Sequence, residues 1–114
     1  MKHWAEVVAY ACSLPGVDVG TTYGKPAVKL NGKMLAATTA PDPGSFVVHA
    51  PLDEKEVLME TDPDTFWETD HYRGWAAVLV RYGTEAGERI ELVLRRAWWD
   101  RAKRAQREAF GPRP

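Results

Sequence analysis

Hydrophobic positions in the first segment recur at helical spacing. Trp4, Val7, Val8 and Ala11 fall on one face, Cys12 and Leu14 extend it, and Pro15-Gly16 stops it. Cys12 accordingly reads as a small core residue. From residue 17 the period changes to two. Val17 to Tyr23 is rich in β-branched residues, and Gly24-Lys25-Pro26 marks a turn. Ala27 to Leu30 then sets Val28 and Leu30 on one face and Lys29 on the other. Asn31-Gly32 is a hairpin signal, because both residues tolerate the positive φ of a type I′ turn. Lys33 to Ala36 returns, Ala40 to Gly44 is a Pro-containing turn, and Ser45 to His49 is another strand. The short connections predict antiparallel pairing.

The pattern shifts at Pro51. Asp53-Glu54-Lys55-Glu56 reads as a helix start, with acids in the first turn, and Val57, Leu58 and Met59 supply its apolar side. Asp62-Pro63-Asp64 opens a turn in which Asp62 is a cap and Pro63 a first helical residue. Phe66 and Trp67 then seal an edge of the core. Gly74-Trp75 introduces Ala76 to Val80, whose unbroken apolar run predicts a strand buried on both faces. After a loop from Tyr82 to Gly87, Ile90, Val93, Leu94, Ala97, Trp98, Ala102 and Ala105 form the stripe of one long helix, residues 88–107. The sum is an α+β, two-layer sandwich: a five-stranded, mainly antiparallel sheet with the first and last helices packed on one face. Trp4, Val78, Leu79, Leu94 and Trp98 are expected to dominate its core.

Composition narrows this further. The 114 residues, 45% hydrophobic and 27% charged, are expected to form one domain, 1–114. Cys12 is the only cysteine, so no intramolecular disulfide forms, which fits a reducing compartment. No apolar run suits a membrane span, and the first residues lack the apolar core of a signal peptide. The expected location is the cytoplasm, with no membrane partner.

An ordered set of short motifs adds a family. Leu14-Pro15-Gly16-Val17 closes the first helix. Tyr23-Gly24-Lys25-Pro26-Ala27 and Gly32-Lys33-Met34-Leu35-Ala36 follow. Asp62-Pro63 with Phe66, His71-Tyr72-Arg73-Gly74-Trp75 and Arg96-Ala97-Trp98 complete the series. In order and spacing the chain resembles the MmcQ/YjbR-like proteins over nearly its whole length. The resemblance implies a small α+β fold related in shape to frataxin and a DNA-binding role argued from a double-wing arrangement, with no enzymatic activity and no cofactor. The basic segment after Trp98 is longer than the family pattern.

Charge is unevenly placed. Residues 1–88 hold 7 Lys/Arg against 13 Asp/Glu, a net of −6, whereas residues 89–114 hold 8 against 3, a net of +5. On the last helix Arg95, Trp99 and Lys103 are spaced four apart, with Arg96 and Arg107 alongside. Such a face neutralises phosphates, and the indole stacks on a base; equally, it is a solvated face whose cations complement the helix dipole. Lys25, Lys29 and Lys33 flank the hairpin and either touch a phosphate backbone or blunt an edge strand. The leading expectation is a non-enzymatic DNA-binding protein making weak, salt-sensitive contacts through Lys29, Lys33, Arg95, Arg96, Trp99, Lys103 and Arg107.

The alternative is a small-ligand or protein-interaction module with a pocket at Tyr23, Lys25, His71, Arg73 and Trp75. The basic helix can also answer an acidic segment of its own or of a second copy, which would make the chain self-associate. Asp53 to Asp70 carries eight carboxylates and one lysine, but its spacing matches no calcium loop, and it reads as a solvated acidic face. The dispersed histidines and single cysteine predict no metal site. Ser13 and Ser45 sit in no nucleophile motif, so no catalytic residue is assigned.

Overall fold

The computed structural model describes residues 1–114. In chain order the elements are α1 (Trp4–Ala11), β1 (Asp18–Thr22), β2 (Lys25–Leu30), β3 (Lys33–Ala37), β4 (Ser45–His49), α2 (Leu52–Thr61), β5 (Phe66–Trp67), a single 3-10 turn (Asp70–Tyr72), β6 (Ala77–Arg81), α3 (Gly87–Arg101) and α4 (Arg104–Phe110). The strands form one sheet in the order β1-β2-β3-β4-β6-β5, with every neighbouring pair antiparallel. The α+β class and the antiparallel sheet agree with the sequence expectation, but there are six strands. The additional one is β5, a two-residue strand pairing Phe66 with Val80 and Trp67 with Leu79. Its brevity hides it from any periodicity argument.

Both hairpins turn on paired positive-φ residues. Asn31 and Gly32 have φ of 54° and 78°, the expected type I′ combination. Tyr23 and Gly24, at 51° and 75°, make the same kind of turn between β1 and β2, so β2 begins at Lys25. A tyrosine in the left-handed region is a local strain.

The main core lies between one sheet face and the helices. Val28, Phe46, Val48, Phe66, Val78 and Val80 meet Val7 of α1 and Ile90, Leu94 and Trp98 of α3. Trp98 is 1% exposed, and its indole N–H donates to the Pro15 carbonyl at 2.7 Å, tying α3 to the end of α1. Gly16 must be glycine there: φ is +76°, and a Cβ would lie 3.3 Å from both Leu30 Cδ1 and Gln106 Nε2. Of the expected core residues, Val78, Leu94 and Trp98 are in place. Trp4 is half-buried at the rim, and Leu79 is buried on the opposite sheet face. Cys12, expected inside, is exposed just past the end of α1.

The expected single terminal helix is broken. Ala102 adopts an extended ψ of 148°, separating α3 from α4. Arg107 folds back across the break, donating to the carbonyls of Trp99 (2.8 Å) and Asp100 (3.0 Å), acceptors that a continuing helix would have paired. Lys103 therefore lies beyond the break from Arg95 and Trp99, and Ala105 is exposed. Asp62-Pro63-Asp64 starts no helix either; the Asp62 carbonyl accepts from Thr65 and Phe66 N–H in a turn leading into β5. No helix is long and apolar enough to cross a membrane.

Trp98→Ala is expected to lower unfolding free energy by about 3–5 kcal/mol, because it removes the largest core side chain and its bond to Pro15. Urea unfolding monitored by circular dichroism measures this.

Candidate functional site

Strand alternation gives the sheet a second buried face. Val47, Ala77 and Leu79 point away from α1 and α3 and pack with Met34, Ala40, Trp67 and Tyr72. This explains why both β4 and β6 are buried across most of their length. The cover on this face comes mainly from the segment from Trp67 to Ala76, whose only regular structure past β5 is the 3-10 turn.

A lysine holds that cover in place. Lys55 of α2 is 2% exposed, and its ammonium faces three acceptors: the carbonyls of Tyr72 (2.7 Å) and Trp75 (3.0 Å) and Glu68 Oε2 (2.8 Å). Two of its protons are hydrogen-bonded to the carbonyls, and the carboxylate adds an ion pair, with Glu68 Oε2 in no hydrogen bond. Trp67 adds a second anchor by donating to Ser45 Oγ at 3.1 Å beneath the Arg81 guanidinium. Fixed in this way, the segment presents an aromatic cluster. The His71 and Trp75 rings stack at 5.7 Å, and Tyr72 meets both edge-on.

Between this cluster and the sheet lies a cavity of about 580 Å³. Tyr23, His71, Tyr72 and Trp75 supply aromatic walls; Met34, Val47 and Ala77 supply an apolar floor; His49 and Arg101 close one side, and Thr22, Thr39 and Ala76 complete the lining. No carboxylate lines it. An adjoining cavity of about 340 Å³ shares Tyr23, Thr39, His71 and Tyr72 and adds Lys25.

Arg101 and His49 form the polar corner. Arg101 Nη2 lies 3.1 Å from His49 Nδ1. Because arginine stays protonated, the guanidinium donates and Nδ1 accepts, which requires a neutral imidazole with its proton on Nε2. That nitrogen faces Asp100 Oδ2 at 3.8 Å. Burial, and then the Arg101 charge, hold the His49 pKa below the usual histidine value, with Asp100, the Ala76 carbonyl and Glu54 pulling the other way. Arg101 Nε is buried without a hydrogen-bond partner. Such a donor costs on the order of 1–3 kcal/mol if left unmet.

Of the pocket expected from sequence, Tyr23, His71 and Trp75 converge on the larger cavity, and Lys25 joins them on its extension. Arg73 does not. It is exposed and paired with Asp70 at 2.7 Å, three residues away on the same turn. His49 and Arg101 were missed. Nothing local in the sequence marks either, because they meet only when the end of α3 reaches the end of β4. Lys55 left one trace, as the single lysine among eight carboxylates.

The expected phosphate-binding set is largely engaged elsewhere. Arg95 donates to the Tyr10 hydroxyl at 2.8 Å. Arg96 donates to the Pro114 carbonyl at 3.1 Å and lies 4.0 Å from Glu54. Arg107 caps α3 and covers the Trp99 ring at 4.2 Å, while the Trp99 indole donates to Gly111. An indole so covered offers no free face there for a base. Lys29 is half-buried, with its stem over Gly20. Lys33 and Lys103 remain exposed. The hairpin and the last helix do meet: the Asn31 amide donates to the Arg101 carbonyl (3.0 Å) and to Gln106 Oε1 (2.9 Å).

Comparison with known proteins places this geometry. The YjbR family model matches residues 12–100. The crystal structure of Deinococcus radiodurans protein DR2400, which carries the domain DUF419, is similar, with a TM-score of 0.74 and 18% identity over 97% of this chain and 89% of that one. At that identity the likeness is one of fold. No curated protein matches.

Lys55→Met should destabilise the protein by about 3–5 kcal/mol, since it strands Glu68 and two carbonyls. It should also broaden or shift the amide resonances of residues 68–76 more than those of the helices. His49 carries a separate pH signature. Its folded pKa is depressed, so its contribution is complete above the ordinary histidine value near 6.5 and is lost as pH falls through the folded value. His49→Gln should therefore lose less thermal stability than the wild type between pH 7.5 and pH 5, as read by melting temperature.

Proposed function

The chain belongs to the YjbR family, and on that premise we propose that it is a non-catalytic binding protein that takes a small planar organic molecule into the cavity on the second sheet face. The observation that carries this reading is the cavity itself: about 580 Å³, walled by aromatic side chains held in place by a buried lysine. Its size falls in the range of small-molecule sites. Trp75 is 54% exposed and Tyr23 91% exposed at its margin, so an entering ring would cover apolar surface that now faces solvent.

A second reading, weak contact with a phosphate backbone, has one observation in its favour. The Asn31 amide brings the hairpin carrying Lys33 to the α3–α4 junction, where Lys103 N–H donates to the same Gln106 oxygen. Two exposed lysines at one junction suit salt-sensitive, unspecific attachment.

Titration with indole, followed by 1H–15N correlation spectra, tests the first reading. Shifts at the Trp75 indole N–H and at the Val47 and Ala77 amides are expected at millimolar indole, and their absence would overturn it. Binding of labelled duplex at low salt, abolished by combining Lys33→Glu with Lys103→Glu, would instead establish the second.

A further inference from the structure

We infer that the ligand of this cavity is an anion, a planar ring bearing a carboxylate or phosphate group that the Arg101 guanidinium receives. The inference rests on the cavity being a ligand site, as proposed above, and adds the ligand's charge and its point of attachment.

The first ground is the charge of the lining. In a chain with 16 Asp and Glu, none lines the larger cavity or its extension, whereas Arg101 stands in one and Lys25 in the other. Every formal charge presented to an occupant is therefore positive.

The second ground is that Arg101 is uncompensated although carboxylates are near. Asp100, its neighbour, has both oxygens taken by Arg113, through Nε at 2.9 Å and Nη2 at 3.1 Å. Glu54 is also claimed by Arg113, bidentately. These two carboxylates hold the Arg113 guanidinium even more firmly protonated than usual. Arg101 itself makes no ion pair. Its Nη2 is steadied by His49, and its buried Nε has no partner. A guanidinium with donors to spare, oriented through one nitrogen and lining a cavity without acids, is suited to a planar anion, since its parallel N–H bonds match carboxylate and phosphate oxygens.

The third ground is the ring. The His71–Trp75 stack and Tyr72 line the same cavity as Arg101. An aryl carboxylate or aryl phosphate can thus satisfy both walls at once. Its charge would meet Arg101 in a partly desolvated corner, where ion pairing is stronger than in water.

Calorimetric titration with benzoate, phenyl phosphate and benzyl alcohol tests this, because the three share a ring and differ in charge. At least one anion is expected to bind about tenfold or more tightly than the alcohol. Benzoate ahead of phenyl phosphate assigns a carboxylate, and the reverse assigns a phosphate. In Arg101→Gln the affinity for the anions should fall at least tenfold further than that for benzyl alcohol, so that the preference collapses to parity. Should that variant fail to fold, Arg101→Lys, which keeps the charge but not the fork, should reduce the preference without erasing it. Equal binding of all three compounds by the wild type, or a preference untouched in these variants, would overturn the anion inference and leave the cavity reading standing. Absence of the indole shifts would overturn the cavity reading itself, and this inference with it.

Discussion

A lysine ammonium taken out of water needs hydrogen-bond acceptors and a counter-charge, and most of what distinguishes this molecule follows from how Lys55 finds them. Its acceptors are the Tyr72 and Trp75 carbonyls and the Glu68 carboxylate, all on a segment with almost no regular structure. Desolvating an ammonium costs several kcal/mol, so the arrangement depends on the two carbonyl hydrogen bonds and the ion pair together. That requirement makes an otherwise plain loop a defined wall. Without it, the Val47–Ala77–Leu79 face would keep Met34, Ala40 and Trp67 as cover, and the His71–Tyr72–Trp75 cluster would lose the two bonds that tie it to α2.

The same economy of charge explains the basic segment. Eight cations between residues 89 and 114 suggest a positive face, but a folded chain uses arginine as structural connector first. Arg107 satisfies the carbonyls exposed where α3 breaks. Arg113 joins Asp100 and Glu54, and Arg96 holds the last residue. By engaging the carboxylates nearest α3, Arg113 also leaves Arg101 without a counter-ion. A set of positive side chains that looks uniform along the chain thus separates into connectors, one cavity residue and one exposed lysine, Lys103.

The sequence made much of the fold legible. A change from helical to alternating spacing located α1 and the strand region, Asn31-Gly32 announced its hairpin, and the apolar run Ala76 to Val80 marked a doubly covered strand. Its misses have separate causes. β5 is too short for a period, the α3–α4 break depends on Arg107 reaching back eight residues, and Cys12 sits one residue past the buried face it seemed to extend. The ordered motifs pointed to the YjbR family, which the family match bears out, and to the α+β class seen in the Deinococcus neighbour.

What the sequence determined by itself was therefore which residues are apolar, at what spacing, and so which elements form and which faces they bury, because those preferences act over a few residues. It also named part of the cavity, since Tyr23, His71 and Trp75 lie in short motifs. Only the tertiary structure decided which charges are free. Whether Arg101 or Arg113 keeps Asp100, and whether Lys55 faces solvent or three acceptors, depends on groups between 13 and 59 residues apart meeting at hydrogen-bond distance. Ion pairing falls off within ångströms in space and carries no periodic mark along the chain.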